Sequence, residues 1–199
     1  MNNNTFVHKY IKGLINKNDI CVDMTMGNGN DTYFLATISK KVIAFDINEE
    51  AIKNTKEKTK GLNNVILIKD NHININKYLD YPIDLFIFNL GYLPNSKDKT
   101  ITKANETLIA FKKAYSLLKD NGYLIITFYR GHKGGKDEYY LLKNYFEKEK
   151  INIIEKYKNN KNIDEPYTYI IKKKGNYSSF NVSSRVSESS DGNKVSSSG

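Results

Sequence analysis

The stretch Ile20-Cys-Val-Asp-Met-Thr-Met-Gly-Asn-Gly-Asn-Asp31 decides the fold. It begins with a short apolar run, passes through a turn that contains Gly27 and Gly29, and leads into a helical pattern from Asp31 to Ser39. A strand that enters a helix through a glycine-rich turn is typical of open α/β sheets, in which ligands bind beyond the carboxyl ends of the strands. The two glycines allow the backbone to turn sharply and to approach a ligand closely.

Strand-like and helix-like stretches alternate on both sides of this turn. Helices are predicted at 5–15, 31–39, 49–60, 103–118 and 136–148, with Asn121-Gly122 as a helix stop, and strands at 20–24, 42–45, 65–68, 85–88, 123–129, 151–154 and 167–171. The last two strands have no helix between them, so they are expected to form a hairpin that makes the final strand antiparallel. The pattern predicts a doubly wound, mostly parallel, seven-stranded α/β sheet of the Rossmann-like type.

Bulk properties narrow the class of protein. The 199 residues suffice for one domain with a sizeable core, expected at 1–174. No apolar run approaches the roughly 18 to 20 residues of a membrane span, and the N-terminus has no signal-peptide core, which predicts a cytoplasmic protein without a membrane partner. The only cysteine, Cys21, lies in the first predicted strand and is expected to be a buried core residue. With one cysteine and three scattered histidines, no metal site is expected.

Charge and the C-terminal composition carry weaker signals. The net charge of +9 favours an anionic partner such as nucleic acid, although an A/T-rich coding sequence would also enrich lysine on a solvated surface. The segment 175–199 has ten serines and no apolar periodicity, so it is expected to be a disordered tail without a role in catalysis. The sequence leaves the oligomeric state open, and a homodimer is compatible with it.

The glycine-rich turn favours a cationic ligand. A dinucleotide-binding turn has the pattern G-x-G-x-x-G, but Thr32 occupies the place of the third glycine. Asp23 precedes Gly27 by four residues, and a carboxylate there would repel a pyrophosphate. S-adenosylmethionine carries an ammonium and a sulfonium and has no phosphate, so it is the cofactor predicted, with NAD as the alternative. The candidate contacts in this turn are Asp23, Gly27, Asn28, Gly29, Asn30 and Asp31.

Two further strand ends fit a nucleoside cofactor. Asp46 ends the second strand, where an acid accepts hydrogen bonds from ribose hydroxyls, and Ile47 beside it is placed to pack on adenine. Asp70 and His72 follow the third strand and are expected to lie near the cofactor. Asp70 is placed to bond the adenine amino group, but it is equally placed to cap a helix.

The fourth strand ends in Asn89-Leu-Gly-Tyr-Leu-Pro94, which resembles the Asn/Asp-Pro-Pro-Tyr signature of amino-group methyltransferases with Leu-Gly in place of Pro-Pro. The side-chain carbonyl of Asn89 and the backbone carbonyl of Leu90 could accept hydrogen bonds from an amine and direct its lone pair at a methyl group. Tyr92 is expected to stack on a base or to close the pocket, and the acceptor would also contact Gly91 and Pro94.

The chain as a whole, from about residue 5 to 174, resembles the bacterial MnmM/YtqB family. The motifs that carry this resemblance are 23–32, 89–94, the stretch from Asp98 to Thr107, and Tyr129-Arg-Gly-His-Lys-Gly-Gly135. Arg130 departs from the family pattern, where a histidine or another residue is expected. The resemblance implies a class I methyltransferase fold and methylation of 5-aminomethyl-2-thiouridine at the tRNA wobble position, which gives 5-methylaminomethyl-2-thiouridine.

The substrate implied by the resemblance assigns roles to further residues. An alkyl ammonium must lose a proton before it attacks, and His132, in a loop after the fifth strand, is a candidate base or phosphate ligand. His8, on the opening helix, is placed to line the acceptor pocket, or it is a surface histidine. Two basic clusters suit the backbone of a tRNA anticodon stem-loop but are equally compatible with a solvated surface. They comprise Arg130, Lys133 and Lys136, and Lys97, Lys99 and Lys103.

Three alternatives stay open at the level of sequence. The enzyme could methylate another RNA, such as rRNA, or a small-molecule amine. A protein that binds a nucleoside without catalysis would share the same turn and strand ends. An NAD-dependent oxidoreductase is the third alternative, against which Asp23 and Thr32 argue.

Overall fold

The computed structural model describes residues 2–91, 103–131, 133–158 and 165–175. Within these ranges, seven strands form one sheet in the order β3-β2-β1-β4-β5-β7-β6. The strands are β1 Ile20–Asp23, β2 Lys41–Asp46, β3 Val65–Lys69, β4 Ile83–Leu90, β5 Leu118–Phe128, β6 Ile153–Lys158 and β7 Tyr167–Lys172. The helices are α1 Asn3–Ile11, α2 Asn30–Ile38, α3 Glu49–Lys58, α4 Ala104–Leu117 and α5 Gly135–Lys148, with a 3₁₀ helix at His72–Lys77.

The strand pairing confirms the predicted sheet. Strands β1 to β5 pair in parallel, and β7 runs antiparallel to both β5 and β6. Strand order reverses where β1 lies between β2 and β4, and such a reversal opens a crevice at the carboxyl ends of the strands. The crevice therefore lies next to the glycine-rich turn after β1.

Both faces of the sheet are buried, because successive side chains of a strand point to opposite faces. In β4, Phe86 and Phe88 join the core beneath α4 and α5, whereas Leu85 and Ile87 join the core beneath α1 and α2. Cys21 is fully buried on the second face, and this burial raises the pKa of its thiol to about 12. The structure thus confirms that Cys21 is a core residue.

Four details of the predicted elements are wrong. Helix α1 ends at Ile11 rather than Ile15, and β6 spans Ile153–Lys158 rather than 151–154. The 3₁₀ helix after β3 lacks an apolar periodicity and was not predicted. Asn121-Gly122 does not end α4, because α4 ends at Leu117 and the pair lies inside β5.

Asn121-Gly122 instead forms an irregularity at the start of β5. The register between β4 and β5 shifts after the pairing of Ile83 with Leu118, and Asn121 has a positive φ of 64°. The four residues between these registers leave the ladder with β4, and Asn121 donates its backbone N–H to the carbonyl of Lys173. A turn dipeptide here accommodates a bulge rather than a helix end.

None of the described helices is long and apolar enough to cross a membrane. The serine-rich tail that is predicted to be disordered lies, from residue 176 onward, outside the described residues.

Candidate active site

A cavity of about 370 Å³ lies at the carboxyl ends of β1 to β5. Its volume is within the range of roughly 300–1,000 Å³ found for small-molecule sites. Loops after five strands and the first turns of α1 and α4 contribute its walls. The lining residues are Asn4, Met24, Thr25, Met26, Gly27, Asn28, Asn30, Asp31, Asp46, Ile47, Asn48, Asp70, Asn71, His72, Asn89, Leu90, Gly91, Glu106 and Tyr129.

Ten of the twelve residues that the sequence assigned to the cofactor line the cavity, and the other two, Asp23 and Gly29, do not. That set spans the turn after β1, the ends of β2 and β3, and the end of β4, which come together because parallel strands share one edge of the sheet. Asn4, Glu106 and Tyr129 were not predicted. Tyr129 directly follows β5, so its place at a strand end was a usable signal, whereas nothing in the sequence brings the first turns of α1 and α4 to this edge.

Buried hydrogen bonds stabilise the turn after β1. The carboxylate of Asp23 is fully buried, accepts a hydrogen bond from the hydroxyl of Thr32 at 2.7 Å, and accepts another from the backbone N–H of Thr25 at 3.1 Å. Asp23 therefore does not face the cavity, which corrects its predicted place beside the ligand. The residue in the position of the missing third glycine, Thr32, has a structural role because it ties the helix to the strand.

The buried carboxylate of Asp23 has an unusual acidity. Its burial, followed by repulsion from Asp31 and Asp46, raises its pKa to about 7, although the bonds from Thr32 and Thr25 act in the opposite direction. Desolvation disfavours the charged form of a carboxyl group, and nearby negative charges add to this effect. Burial and the neighbouring acids therefore make a negative charge on Asp23 unfavourable, a condition that a cationic ligand in the cavity would relieve.

Gly29 supports the turn rather than lining it. It adopts a left-handed conformation with a φ of 74°, and a Cβ atom there would lie 2.8 Å from the Cα atom of Thr55 on α3. The hydroxyl of Thr55 also donates to the carbonyl of Gly27 at 3.1 Å. Only glycine fits this close approach of α3 to the turn.

The acid after β2 is tied to the turn as well. One carboxylate oxygen of Asp46 accepts the backbone N–H of Gly27 at 3.0 Å, and the other accepts that of Asn48 at 2.9 Å. Ile47, beside it on the cavity wall, is 47% exposed, so a large apolar side chain is available to pack against a flat ring.

The residues after β3 are fixed by a small hydrogen-bond network. Asp70 accepts bonds from Asn74 at 2.8 Å and from the hydroxyl of Tyr78 at 2.8 Å, and these bonds lower its pKa. Asp70 does not cap the 3₁₀ helix, because Asn71 does so by accepting the N–H of Ile73. His72 bonds the carbonyl of Met24 through Nδ1 at 3.0 Å, and burial lowers its pKa, which favours a neutral ring.

A second group of polar side chains lies at the end of β4. The side-chain amide of Asn89 donates to Asp31, and the backbone N–H of Asn89 donates to the hydroxyl of Thr25 at 2.7 Å. His8, which does not itself line the cavity, bonds the other oxygen of Asp31 through Nε2 at 2.6 Å. The His8 ring stacks on Phe34, with centroids 3.8 Å apart.

The charges of the cavity decide between the two kinds of nucleoside cofactor. Four of its lining residues are acidic, and none of the described residues that line it is lysine or arginine. The acids are Asp31, Asp46, Asp70 and Glu106. Lys103, which does not line the cavity, pairs with Glu106 at 3.3 Å. A dinucleotide with its pyrophosphate would still meet a carboxylate-rich wall, whereas a ligand with an ammonium and a sulfonium fits it.

The predicted basic residues that the structure describes do not line the cavity; they are Lys103, Arg130, Lys133 and Lys136. Arg130 packs its guanidinium 5.0 Å and 5.4 Å from the ring centroids of Tyr139 and Tyr167, and its buried Nε and Nη2 have no hydrogen-bond partner. Lys133 is exposed at the start of the following loop. The predicted residues Tyr92, Pro94 and His132, together with Lys97 and Lys99, lie outside the described residues.

Comparisons with known proteins agree with this geometry. A family model described as "Putative rRNA methylase" matches residues 42–172. The chain is similar to a solved structure from Clostridium thermocellum described as a "putative rRNA-methylase", with 36% identity over 87% of this chain and 98% of that one and a TM-score of 0.80. It is also similar to a solved structure from Streptococcus mutans described as a "putative methyltransferase" in complex with SAH, with 37% identity, the same coverage and a TM-score of 0.78.

A curated relative carries a more specific description. The chloroplastic tRNA (mnm(5)s(2)U34)-methyltransferase of Arabidopsis thaliana is 31% identical over 147 residues. The match covers 66% of this chain and 54% of the relative, so the chain spans about half the length of that protein.

Proposed function

Because the chain belongs to the rRNA methylase family, the MnmM/YtqB-like family that the sequence motifs indicated, we propose that it transfers a methyl group from S-adenosylmethionine to the amino group of a modified tRNA wobble uridine. The acceptor is 5-aminomethyl-2-thiouridine and the product is 5-methylaminomethyl-2-thiouridine. The observation that carries this proposal is the cavity itself, which joins an acidic, cation-compatible nucleoside site to Asn89 at the end of β4.

S-adenosylmethionine is the cofactor, and its sulfonium supplies an electrophilic methyl group when it is bound. We assign Asp46 to the ribose hydroxyls and Ile47 to one face of the adenine, with Asp70 and His72 at the adenine edge. The backbone of Gly27 and the side chains of Asn28 and Asn30 are assigned to the amino-acid end of the cofactor. The turn closed by Asp23, Thr32 and Gly29 holds these groups in place.

Asn89 is assigned to the acceptor amine. Its amide nitrogen donates to Asp31, and a carboxylate can only accept, so the amide oxygen is the atom left to bind an amine. Together with the backbone carbonyl of Leu90, it would direct the amine lone pair toward the methyl group. Positioning of this kind can contribute about 7–11 kcal/mol to lowering a barrier. Gly91, with Tyr92 and Pro94, completes the proposed acceptor side.

The tRNA is expected to contact basic groups outside the cavity. Arg130 is half-buried beside Tyr139 and Tyr167, and it directly follows Tyr129, which lines the cavity. Its positive charge is assigned to a phosphate of the tRNA. Lys133 adds a positive charge to the same loop, and His132 is proposed to bind RNA there. A phosphate held by Arg130 would therefore lie next to the mouth of the site rather than at a remote surface.

The description of the family favours rRNA as a second candidate substrate, and one experiment separates the two. Nucleosides from the tRNA and rRNA of a strain that lacks this gene are profiled by mass spectrometry. The proposal predicts that 5-aminomethyl-2-thiouridine accumulates in tRNA, its methylated form disappears, and the methylated nucleosides of rRNA stay unchanged. Loss of a methylated rRNA nucleoside with unchanged tRNA would replace the proposal with the rRNA alternative.

A further inference from the structure

Side chains from three separate elements are linked by hydrogen bonds at the acceptor end of the cavity. His8 on α1 bonds one oxygen of Asp31 on α2 at 2.6 Å, and the other oxygen of Asp31 accepts the side-chain amide of Asn89 on β4. Asp31 lines the cavity, and the side chain of His8 is 26% exposed. This series of hydrogen bonds therefore leads from the proposed acceptor position to the solvent.

The amide of Asn89 would bring an acceptor amine close to Asp31. The same amide group that presents its oxygen to the cavity donates its nitrogen to the carboxylate. An amine bound by the oxygen of Asn89 is thus separated from Asp31 by one planar amide. Among the described residues, no other carboxylate bonds Asn89.

Resting on the function proposed above, we infer that Asp31, oriented by His8, accepts the proton that the acceptor ammonium must lose before methyl transfer. An alkyl ammonium has a pKa near 10, so the acceptor arrives protonated and without a nucleophilic lone pair. One N–H bond breaks, its electron pair stays on nitrogen, and the proton goes to the carboxylate. The nitrogen then forms a bond to the methyl carbon while the carbon–sulfur bond breaks and its electron pair stays on sulfur.

His8 is a positioning residue in this arrangement. Its Nε2 bonds Asp31 and orients the carboxylate, and stacking on Phe34 orients the ring. After each turnover the pair returns its extra proton to solvent at the exposed side of His8. The remaining titratable groups of the described residues that interact with Asp31 are Asp23 on β1 and Tyr129 after β5. Asp23 lies behind Asp31 and Tyr129 lies beside it. Neither of them bonds Asn89.

His72 is the other described base that lines the cavity, but its geometry points elsewhere. Its Nδ1 is occupied by the carbonyl of Met24, and it follows β3 beside Asp70, at the end assigned to adenine. His132, the base that the sequence suggested, lies outside the described residues, and the experiment below includes it.

The test uses Asp31→Asn, which keeps the size of the side chain and can still accept from Asn89 and donate to His8. The rate of methyl transfer to tRNA that contains the aminomethyl nucleoside is measured from about pH 7 to about pH 9.5, below the ammonium pKa. Near pH 7 we expect a loss of roughly 10²-fold or more relative to the wild type. This deficit in rate should shrink about tenfold for each pH unit. The reason is that the fraction of acceptor that is already a neutral amine in solution grows about tenfold per unit below the ammonium pKa.

Binding of S-adenosylmethionine, followed by calorimetry, is the second readout. The inference predicts that Asp31→Asn binds the cofactor within a few-fold of the wild type. A loss that does not change with pH, or a loss of cofactor binding, would overturn it, since either would make Asp31 a cofactor ligand or a purely structural group. The inference would also be overturned if the methyl-transfer rate of His132→Gln recovered at high pH and that of Asp31→Asn did not.

A second variant keeps the inference testable if Asp31→Asn does not fold. His8→Phe retains an aromatic ring to stack on Phe34 but has no bond to Asp31. It should lose less activity than Asp31→Asn, keep its KM for tRNA, and recover toward higher pH. A deficit that is constant across pH would contradict the positioning role. The wild-type reaction separates this inference from the proposed function, because a wild type that transfers no methyl group to this tRNA would contradict the function itself.

Discussion

At the scale of single residues, the acids around the cavity divide into two groups with different tasks. Asp31 and Asp46 are polar groups of the cavity wall whose oxygens also hold neighbouring atoms of the protein. Asp23 lies behind the wall with both oxygens bonded inside the turn. Asp46 should therefore control affinity for the cofactor and Asp31 the rate of methyl transfer, whereas the buried Asp23 should control the stability of the turn.

Asp46→Asn tests the wall group. The change removes the charge that would accept hydrogen bonds from ribose hydroxyls, and bonds to charged groups contribute about 1.5–3 kcal/mol. We expect the Kd for S-adenosylmethionine, measured by calorimetry, to rise roughly tenfold or more. Asp80→Asn, an exposed acid that does not line the cavity, is the matched control and should bind like the wild type. Equal affinities of the two variants would remove Asp46 from the cofactor site.

Asp23→Asn tests the buried group through pH. Because burial and nearby acids raise the pKa of Asp23 from 3.8 to about 7, the folded protein retains a proton that the unfolded chain releases. This group therefore makes stability fall as pH rises from about 4 to about 7. The asparagine variant has no such proton, so its Tm should decline less than that of the wild type between these limits. Parallel Tm profiles for the two proteins would contradict the assigned acidity.

At the scale of elements, the turn between β1 and α2 depends on the packing of α3 against it. Asn48 caps α3 by accepting the N–H of Glu50, and the first turn is acidic while the last is basic, which suits the helix dipole. Thr55 on this helix touches the turn at Gly29 and bonds Gly27. The position of α3 therefore fixes the shape of the cofactor turn.

A comparison of Gly29→Ala with Gly61→Ala distinguishes the cost of a clash with α3 from the cost of a left-handed backbone. Both Gly29 and Gly61 have a left-handed φ, which costs an L-residue about 1–2 kcal/mol. A Cβ atom at Gly29 would also collide with the backbone of Thr55, whereas a Cβ atom at Gly61 meets nothing within 4 Å. In urea unfolding, Gly29→Ala should lose clearly more stability than Gly61→Ala. Equal losses would mean that α3 moves aside without cost.

The elements also show what could be predicted from sequence. Strands with a mainly apolar run, such as β1 and β4, can be predicted from sequence because both faces of a parallel sheet are buried. Strand ends are brought together by that sheet, so Asp46, Asp70 and Asn89 were correctly expected at one edge. The pairing of His8 with Asp31 and the burial of Asp23 behind Thr32 depend on side-chain packing between distant elements, which a local pattern does not encode.

At the scale of the whole molecule, the charge is unevenly distributed. The chain has a net charge of +9, yet the described lining of the cavity has four acids and no lysine or arginine. The positive charge therefore acts outside the cofactor site, where Arg130 and Lys133 follow β5. Such a separation suits an enzyme that holds a cationic cofactor in an acidic cavity and a polyanion on its surface.

Salt should act on these two ligands differently. Each phosphate neutralised by the protein releases counterions, so the KM for tRNA should rise steeply between about 50 mM and 200 mM salt. The Kd for S-adenosylmethionine should change much less, because its contacts lie inside the cavity. Steady-state kinetics and calorimetry at matched salt concentrations provide the comparison. A KM for tRNA that does not respond to salt would contradict the role of the basic surface.

The central claim is transfer of a methyl group to the aminomethyl nucleoside of tRNA. The most direct measurement incubates the purified protein with labelled S-adenosylmethionine and tRNA from a strain that lacks the activity, followed by nucleoside analysis. The claim predicts label in 5-methylaminomethyl-2-thiouridine, and a yield at least roughly 10²-fold lower for Asn89→Ala, in which the amine loses its acceptor. Label in another nucleoside, or no label in tRNA from a protein that binds S-adenosylmethionine, would contradict it.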